Sequence, residues 1–258
     1  MFIDTHCHLS KNDYENLDAE IAKIKEENVK ILIVSGCDKD SIEESISLSK
    51  KYENIYLSLG YHPSEANKIT KEDLEDLKKK ISKNRKIVAL GEIGLDYYWE
   101  KENKELQKKL FRNQLQIAKE LNLPVIIHSR EAFQDTYDIL KEYNIPGIIH
   151  CFSGNIENAK KYISLGYLLG IGGVVTFKNT HLKDVVKEIS LEKILLETDS
   201  PYLAPTPYRG KPNSPQYIPI IAEEIAKIKE INVNKVEKQT TNNALNIFRI
   251  KQKSTKID

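Results

Sequence analysis

Eight short apolar runs recur along the chain, separated by longer segments that are rich in Lys and Glu. The runs are Phe2–Asp4, Ile31–Val34, Ile55–Leu59, Ile87–Leu90, Val125–Ile127, Gly147–Ile149, Tyr167–Ile171 and Ile194–Leu196. Near-continuous runs of Val, Ile and Leu of this length are typical of parallel strands that are buried on both faces. The pattern therefore predicts eight buried strands.

The segments between these strands have the spacing of amphipathic helices. In one of them, four apolar residues step by four, seven and four positions: Leu106, Leu110, Ile117 and Leu121. Such steps place the four on one helix face. Helices are also predicted over Asp18–Asn28 and, as a pair, from about Pro215 to Ile250.

Strand–helix alternation repeated eight times predicts an α/β fold, the (β/α)8 or TIM barrel. The chain has 258 residues, which is close to the roughly 250 residues that are typical of one such barrel. No linker interrupts the alternation. We therefore expect a single domain over residues 1–250, followed by a polar C-terminal tail over residues 251–258.

Composition and charge narrow the class of protein. Hydrophobic residues make up 40% of the chain and charged residues 30%, which is typical of a folded globular protein. The net charge is 39 − 38 = +1, so no overall basic excess indicates a nucleic-acid partner. A secretory leader and an apolar stretch of membrane-spanning length are not visible. The odd number of cysteines (Cys7, Cys37 and Cys151) argues against a disulfide framework. We expect a cytoplasmic protein, monomeric or weakly homo-oligomeric, with no membrane partner.

Nearly every predicted strand is followed by a cluster of polar residues. The clusters include Asp4-Thr5-His6-Cys7-His8, Gly60-Tyr61-His62-Pro63, Gly91-Glu92-Ile93-Gly94-Leu95-Asp96, His128-Ser129-Arg130, His150-Cys151-Phe152-Ser153-Gly154 and Glu197-Thr198-Asp199-Ser200-Pro201. The carboxyl ends of the strands of a TIM barrel converge on the face that carries the active site. Five of the six histidines lie in these clusters, so we expect the functional site at this face.

Six of these polar residues have the chemistry of metal ligands. His6 and His8 are two residues apart, so on a strand both imidazoles point to the same face. Four further candidates each follow a different strand: Glu92, His128, His150 and Asp199. Four imidazoles and two carboxylates suit borderline divalent ions. Six ligands exceed the needs of one catalytic ion, so we predict two divalent ions (Zn²⁺, Mg²⁺, Mn²⁺ or Co²⁺) with a shared carboxylate.

Other interpretations of the same residues are less well supported. A barrel mouth lined by hydrogen-bonded histidines and carboxylates would serve stability alone, but six convergent groups of ligand type argue against it. Ligation by Cys7 or Cys151 is disfavoured, because strand alternation points both away from the mouth. A Ser-His-Asp triad on Ser129 or Ser153 lacks the sequence context of a nucleophile elbow.

Further residues at the strand ends are candidates for substrate binding: His62, Arg130, Arg209 and Lys211. The guanidinium group is suited to bidentate contact with phosphate. Only five arginines occur in the chain, and two of them fall at these positions. Aromatic residues near the same ends could stack on the bases of a single-stranded nucleic acid or could pack within their loops: Tyr97, Tyr98, Trp99 and Phe152. His181 opens a helical segment and is assigned no role.

The polar clusters, in this order, resemble those of the TatD family of metal-dependent deoxyribonucleases in the amidohydrolase superfamily. The resemblance extends from Asp4-Thr5-His6-Cys7-His8-Leu9 to Glu197-Thr198-Asp199-Ser200-Pro201-Tyr202-Leu203-Ala204-Pro205 and includes the clusters between them, with Arg209-Gly210-Lys211, Asn213 and Pro215. The one departure is conservative: Tyr61 stands where an aliphatic residue is common before His-Pro.

The resemblance implies a (β/α)8 fold and a ligand assignment. One ion would be held by His6, His8, Glu92 and Asp199, and the second by Glu92, His128 and His150, with Glu92 bridging. Members of the family are hydrolases that act on DNA, often as 3′-exonucleases on single strands, and some are linked to the removal of D-amino acids from tRNA.

We therefore predict a metal-dependent hydrolase that cleaves the phosphodiester bonds of single-stranded DNA from the 3′ end. Asp199 would orient and deprotonate the attacking water, and Glu92 would bridge the ions. A D-aminoacyl-tRNA deacylase is the main alternative. A polymerase-associated phosphoesterase barrel would need a late Asp-x-His pair, which Asp199-Ser200-Pro201 is not. A non-catalytic nucleic-acid-binding module is disfavoured by the near-zero net charge and the full ligand set.

Overall fold

A parallel sheet closed on itself forms the centre of the computed structural model, which describes residues 1–10, 14, 16–99 and 101–251. Within these residues, eight strands pair in parallel in the order of the chain. The strands are β1 (Phe2–Cys7), β2 (Val29–Gly36), β3 (Ile55–Leu59), β4 (Ile87–Asp96), β5 (Val125–Arg130), β6 (Gly147–Ile149), β7 (Leu168–Ile171) and β8 (Ile194–Leu196).

Hydrogen bonds between the first and last strands complete the barrel. The Thr5 hydroxyl donates to the Leu196 carbonyl (3.0 Å). Just beyond β8, the Asp199 N–H donates to the His6 carbonyl (3.0 Å), and the His8 N–H donates to the Ser200 carbonyl (2.8 Å). The predicted (β/α)8 barrel is thereby confirmed.

Helices follow the strands and surround the sheet. They are α1 (Leu17–Glu26), α2 (Lys39–Lys51), α3 (Lys71–Lys83), α4 (Lys104–Leu121), α5 (Phe133–Lys141), α6 (Ile156–Ser164), α7 (Leu182–Glu188), α8 (Ile218–Lys229) and α9 (Val233–Ile247). Side chains fix several of their starts. The Asp38 carboxylate accepts the N–H groups of Asp40 and Ser41 at α2, and Thr70 forms a reciprocal pair with Asp73 at α3.

The predicted elements agree with the structure except in detail. The pair of helices predicted at the end of the chain is α8 and α9. Strands β1, β2, β4 and β5 are longer than the apolar runs, because their polar ends continue the ladder. Leu106 is 46% exposed, whereas Leu110 and Ile117 on the same predicted face are buried. Leu106 lies in the first turn of α4, where the helix does not bury that face.

Two apolar layers make up the core. Alternate residues of β5 illustrate the division: Val125 and Ile127 pack in the layer between strands and helices, whereas Ile126 packs inside the barrel. The inner cluster also contains Phe248 and Ile250, which follow α9. The inner cluster is therefore apolar, and the candidate metal ligands gather at the carboxyl end of the barrel.

Two buried glutamines of α4 hold the chain at the ends of β3 and β4. The Gln114 amide accepts the Tyr61 N–H (2.7 Å) and donates to the Tyr61 carbonyl (2.9 Å). Gln107 binds the N–H and carbonyl of Asp96 in the same way (2.8 and 2.9 Å). Each side-chain amide thus binds both backbone groups of one residue, as a paired strand would. The two amides thereby fix segments at the polar end of the barrel.

The predicted C-terminal tail is only partly described by the structure. Of the predicted tail over 251–258, residues 252–258 lie outside the described residues, and the single-domain division stays a prediction. In the part of the chain that the structure describes, no helix is long and apolar enough to cross a lipid bilayer.

Replacing Gln114 with Met keeps the length of the side chain and removes both amide hydrogen bonds. The buried N–H and carbonyl of Tyr61 would then lack partners, so we expect the free energy of unfolding to fall by about 1–3 kcal/mol. Gln116→Met, at an exposed position of the same helix, is the matched control and should change it by less than about 0.5 kcal/mol. Urea unfolding measures the free energy of unfolding of both variants. An equal loss in the two would show that the Gln114 amide does not stabilise the segment at Tyr61.

Candidate metal centre

The six predicted metal ligands come together at the carboxyl end of the barrel. His6 and His8 lie at the end of β1, and the others come from or follow four different strands: Glu92 (β4), His128 (β5), His150 (after β6) and Asp199 (after β8). Within the described residues, ligand atoms lie within 4.8 Å of one another in four sets, of which three consist of predicted ligands: His6, His8 and Glu92; Glu92, His128 and His150; and His6, His150 and Asp199. The fourth set is His62, Asp96 and His128.

The two carboxylate oxygens of Glu92 face different pairs of histidines. Oε2 lies 3.5 Å from His6 Nε2 and 3.8 Å from His8 Nε2. Oε1 lies 2.7 Å from His128 Nδ1 and 2.8 Å from His150 Nε2. Glu92 therefore contacts both histidine pairs, one with each carboxylate oxygen.

Asp199 belongs to the first histidine pair. Its Oδ1 lies 3.5 Å from the Nε2 atoms of both His6 and His8. Asp199 has a φ of 56°, in the left-handed region, which Asp adopts more readily than most residues. The resulting turn after β8 brings this carboxylate back over the end of β1.

The residues of the cluster shift one another's pKa values. Burial raises the pKa of Glu92, but the charge of His150 and the hydrogen bonds from His128 and His150 outweigh burial and hold that pKa well below its usual range. Burial lowers the pKa of His6, but hydrogen bonds to Asp199 and Glu92 raise it to about 10. A divalent cation that binds His6 would have to displace the proton of this ring, so the affinity of the site for the cation should rise with pH.

Asp96 stands behind His128 and was not assigned a role from the sequence. Its Oδ2 lies 3.0 Å from His128 Nε2, while His128 Nδ1 faces Glu92. The other oxygen of Asp96 accepts the N–H groups of Tyr98 (2.9 Å) and Trp99 (3.0 Å). A carboxylate on the far nitrogen of a ligating histidine fixes the orientation and the tautomer of the ring. The even spacing from Glu92 to Asp96 on one strand is the sequence signal that could have found it.

Glu197 occupies a similar position near His150. Its Oε1 accepts the N–H of Cys151 and lies 3.8 Å from His150 Nδ1. The side chain is fully buried, and burial raises the pKa of Glu197 to about 8. Gly170 makes room for it, because a Cβ there would lie 2.0 Å from Glu197 Oε2. The spacing of two from Asp199 is the signal that sequence reasoning missed.

A cavity of about 820 Å³ opens over the cluster. Five of the predicted ligands line it: His8, Glu92, His128, His150 and Asp199. Two of the predicted substrate contacts, His62 and Arg130, line it as well. The cavity therefore brings the ligand cluster and the candidate phosphate contacts together in one space.

His62 reaches the cavity in a defined protonation state. Burial lowers the pKa of His62 to about 4, so the ring is neutral at neutral pH. Its Nδ1 accepts the Ser64 N–H (3.1 Å), which places the proton on Nε2. Nε2 lies 3.8 Å from Glu92 Oε1. A neutral donor next to the ligand cluster can bind an oxygen of a substrate without adding charge.

Two interpretations from the sequence have different outcomes. Arg209 and Lys211 are exposed and are not among the residues that line the cavity, and the Arg209 guanidinium lies 4.0 Å from the centre of the Phe177 ring. Their contact with substrate stays a prediction from the sequence. Cys151 does line the cavity, contrary to the sequence interpretation, because β6 ends at Ile149 and strand alternation no longer applies at a residue with a φ of 45°. Cys7 points away from the mouth as predicted, with its Sγ 3.7 Å from the Ile33 carbonyl.

Known proteins share the sequence of this barrel and of its polar clusters. The model of a family described as TatD related DNase matches residues 3–249. The chain belongs to the TatD family. Relatives named as uncharacterized metal-dependent hydrolases include YabD of Bacillus subtilis, 44% identical over 97% of this chain and 100% of the relative, and YcfH of Escherichia coli, 38% identical over 96% of each.

Solved structures agree with this membership. The TatD homologue YjjV of Escherichia coli superposes with a TM-score of 0.90 at 29% identity, over 97% of this chain and 98% of that one. A TatD family hydrolase of Entamoeba histolytica superposes with a TM-score of 0.87 at 26% identity, over 95% and 97%. This protein is therefore a TatD family, metal-dependent hydrolase.

Changing Asp96 to Asn keeps the shape of the side chain but removes the charge that faces His128 Nε2. We expect the affinity of the TatD centre for Zn²⁺ to fall by about 10- to 100-fold, since the orienting carboxylate is lost. Competition with a chromophoric chelator measures this affinity without reference to activity. Asp184→Asn, at an exposed position of α7 outside the cavity lining, is the control, and an equal affinity in the two variants would show that Asp96 does not position His128.

Proposed function

We propose that this protein hydrolyses the phosphodiester bonds of DNA and acts as a 3′–5′ exonuclease on single strands. The observation that carries the proposal is the Glu92 carboxylate shared between two histidine pairs at the floor of a cavity that Arg130 also lines. Such a site suits a substrate whose reacting group is anionic. The description of the matching family as a DNase supports the same reaction.

We further propose that two divalent ions occupy the site. The donor set fits them, because imidazole nitrogens and carboxylate oxygens suit such ions, and two of the sets of neighbouring ligand atoms share Glu92: His6, His8 and Glu92, and Glu92, His128 and His150. His6, His8 and Asp199 would complete one group, and His128 and His150 the other. The ions would supply Lewis acidity, lowering the pKa of a water molecule and stabilising the charge that develops on the phosphoryl oxygens.

Asp199 is the proposed general base. Burial raises its pKa, but hydrogen bonds from His6 and His8 outweigh burial and hold the pKa well below its usual range. The carboxylate is therefore ionised at neutral pH. Its side chain is 15% exposed and lines the cavity, so it can orient a water molecule and accept its proton.

His62 and Arg130 are the proposed contacts to the phosphate. The Nε2–H of His62 points into the cavity as a neutral donor. Arg130 is exposed at the end of β5, two residues beyond His128. A donor and a cation next to the ligand cluster can hold a phosphodiester for in-line attack by water.

Asp199→Asn should reduce the rate of cleavage of a single-stranded oligonucleotide by about 10²- to 10⁴-fold, because the variant lacks the general base. Strands labelled at the 3′ or the 5′ end report the polarity: wild type should release the 3′ label in the first turnover. Asp184→Asn is the matched control and should retain wild-type activity.

A parallel assay with D-aminoacyl-tRNA separates the main alternative, since the same water and base can break an ester. Turnover of the tRNA ester without cleavage of DNA would overturn the nuclease proposal. Full activity of Asp199→Asn on DNA would overturn the role given to Asp199. The monomeric or weakly oligomeric state and the cytoplasmic location stay predictions from the sequence.

A further inference from the structure

Exposed aromatic side chains are concentrated at the mouth of the cavity. Among the described residues, five large hydrophobic side chains are exposed: Tyr98 (42%), Trp99 (70%), Leu106 (46%), Tyr202 (61%) and Leu203 (43%). Four of these lie on two loops, one after β4 and one after β8. Trp99, Tyr202 and Leu203 line the cavity over the ligand cluster. Exposure of large apolar groups beside a site indicates a surface that binds something.

Packing buries two other aromatic residues of this region, whereas Trp99 stays exposed although its ring contacts the Tyr98 ring edge to face, 4.8 Å between centres. Tyr97 is 8% exposed, and its hydroxyl donates to Asp135. Phe152 is 4% exposed and belongs to the hydrophobic core. Trp99 and Tyr202, in contrast, leave most of their ring surface to solvent. Of the two roles that the sequence left open for these aromatic residues, packing therefore applies to Tyr97 and Phe152.

Each of the two loops is bound to a different side of the ligand cluster. The backbone N–H of Trp99 donates to Asp96, whose other oxygen contacts His128. The Tyr202 ring lies 6.2 Å from the His8 ring, edge to face, and the Tyr202 N–H donates to the Asp199 carbonyl (2.9 Å). Both loops are thus tied directly to residues of the cluster, one on each side of Glu92.

A cation completes the surface on the Trp99 side. The Arg130 guanidinium lies 4.1 Å from the centre of the Tyr98 ring and 5.6 Å from that of Trp99. An aromatic face next to a cation matches a nucleotide, which presents a flat base next to an anionic phosphate. A purely apolar ligand would make no use of the positive charge of Arg130.

We propose that Trp99 and Tyr202 are stacking platforms for unpaired bases of the DNA strand on either side of the phosphate held at the cluster. This inference rests on the proposed nuclease function and deepens it by naming the residues that bind the bases of the single strand. Bases inside a duplex already stack on their neighbours, so the platforms select a single strand or a frayed end. Stacking is tolerant of sequence because every base has an aromatic face, so the enzyme should show little base preference.

Trp99 is the only tryptophan in the chain, so its fluorescence reports on this platform alone. The holoprotein is titrated with a single strand that carries phosphorothioate linkages, which resist hydrolysis, and with an abasic strand of equal length and charge. The strand with bases should quench the fluorescence to saturation. The abasic strand should bind more weakly and leave the emission nearly unchanged.

Variants separate stacking from general loss of structure. Trp99→Ala and Tyr202→Ala should each weaken binding of the base-bearing strand by about 5- to 100-fold, measured by fluorescence anisotropy of a labelled strand. Trp99→Phe should restore part of the affinity, because it retains an aromatic face. Leu106→Ala removes an exposed apolar side chain outside the cavity lining and should bind like wild type.

Equal quenching by the abasic strand, or losses in Trp99→Ala and Tyr202→Ala no larger than in Leu106→Ala, would overturn the stacking inference. Either result leaves the nuclease proposal intact if the labelled strand is still cleaved in an Asp199-dependent way. Conversely, base-dependent quenching without any cleavage of DNA would support the platforms and overturn the nuclease proposal.

Discussion

The arrangement of this site depends on one buried carboxylate. Glu92 is 4% exposed, and each of its two oxygens faces a separate pair of imidazoles. A buried carboxylate is stable only when hydrogen bonds or opposite charge surround it, and here four imidazoles surround it, from the end of β1, from β5 and from the segment after β6. The same geometry suits two cations that share a ligand. The contacts that stabilise the buried Glu92 carboxylate are therefore also those on which the proposed metal chemistry depends.

The barrel supplies the precision that such sharing requires. Backbone hydrogen bonds across the β1–β8 seam place Asp199 over His6, and the amide of Gln107 fixes Asp96, which in turn contacts His128. The apolar interior below the site has Phe248 and Ile250 among its members. Rigidity at the cluster and exposure at its rim are therefore compatible: Trp99 and Tyr202 are exposed, although their backbone N–H groups are bound to cluster residues.

Period and position along the sequence were enough to predict the barrel and to place six ligands at its carboxyl end. Strand alternation correctly put His6 and His8 on one face and Cys7 on the other. Other features depend on three-dimensional contacts that no local pattern encodes. The role of Asp96 requires knowing which nitrogen of His128 faces Glu92, and Cys151 enters the cavity because the chain leaves β6 in a left-handed turn. Arg209 lies over the Phe177 ring and is not among the residues that line the cavity, a position that its motif does not indicate.

Anomalous diffraction from crystals grown with Mn²⁺ tests the central claim, that Glu92 is shared between two ion sites, most directly. We expect two anomalous peaks, one on each side of the Glu92 carboxylate, with His6, His8 and Asp199 around one and His128 and His150 around the other. A single peak, or two peaks with Glu92 bound to only one of them, would contradict the account.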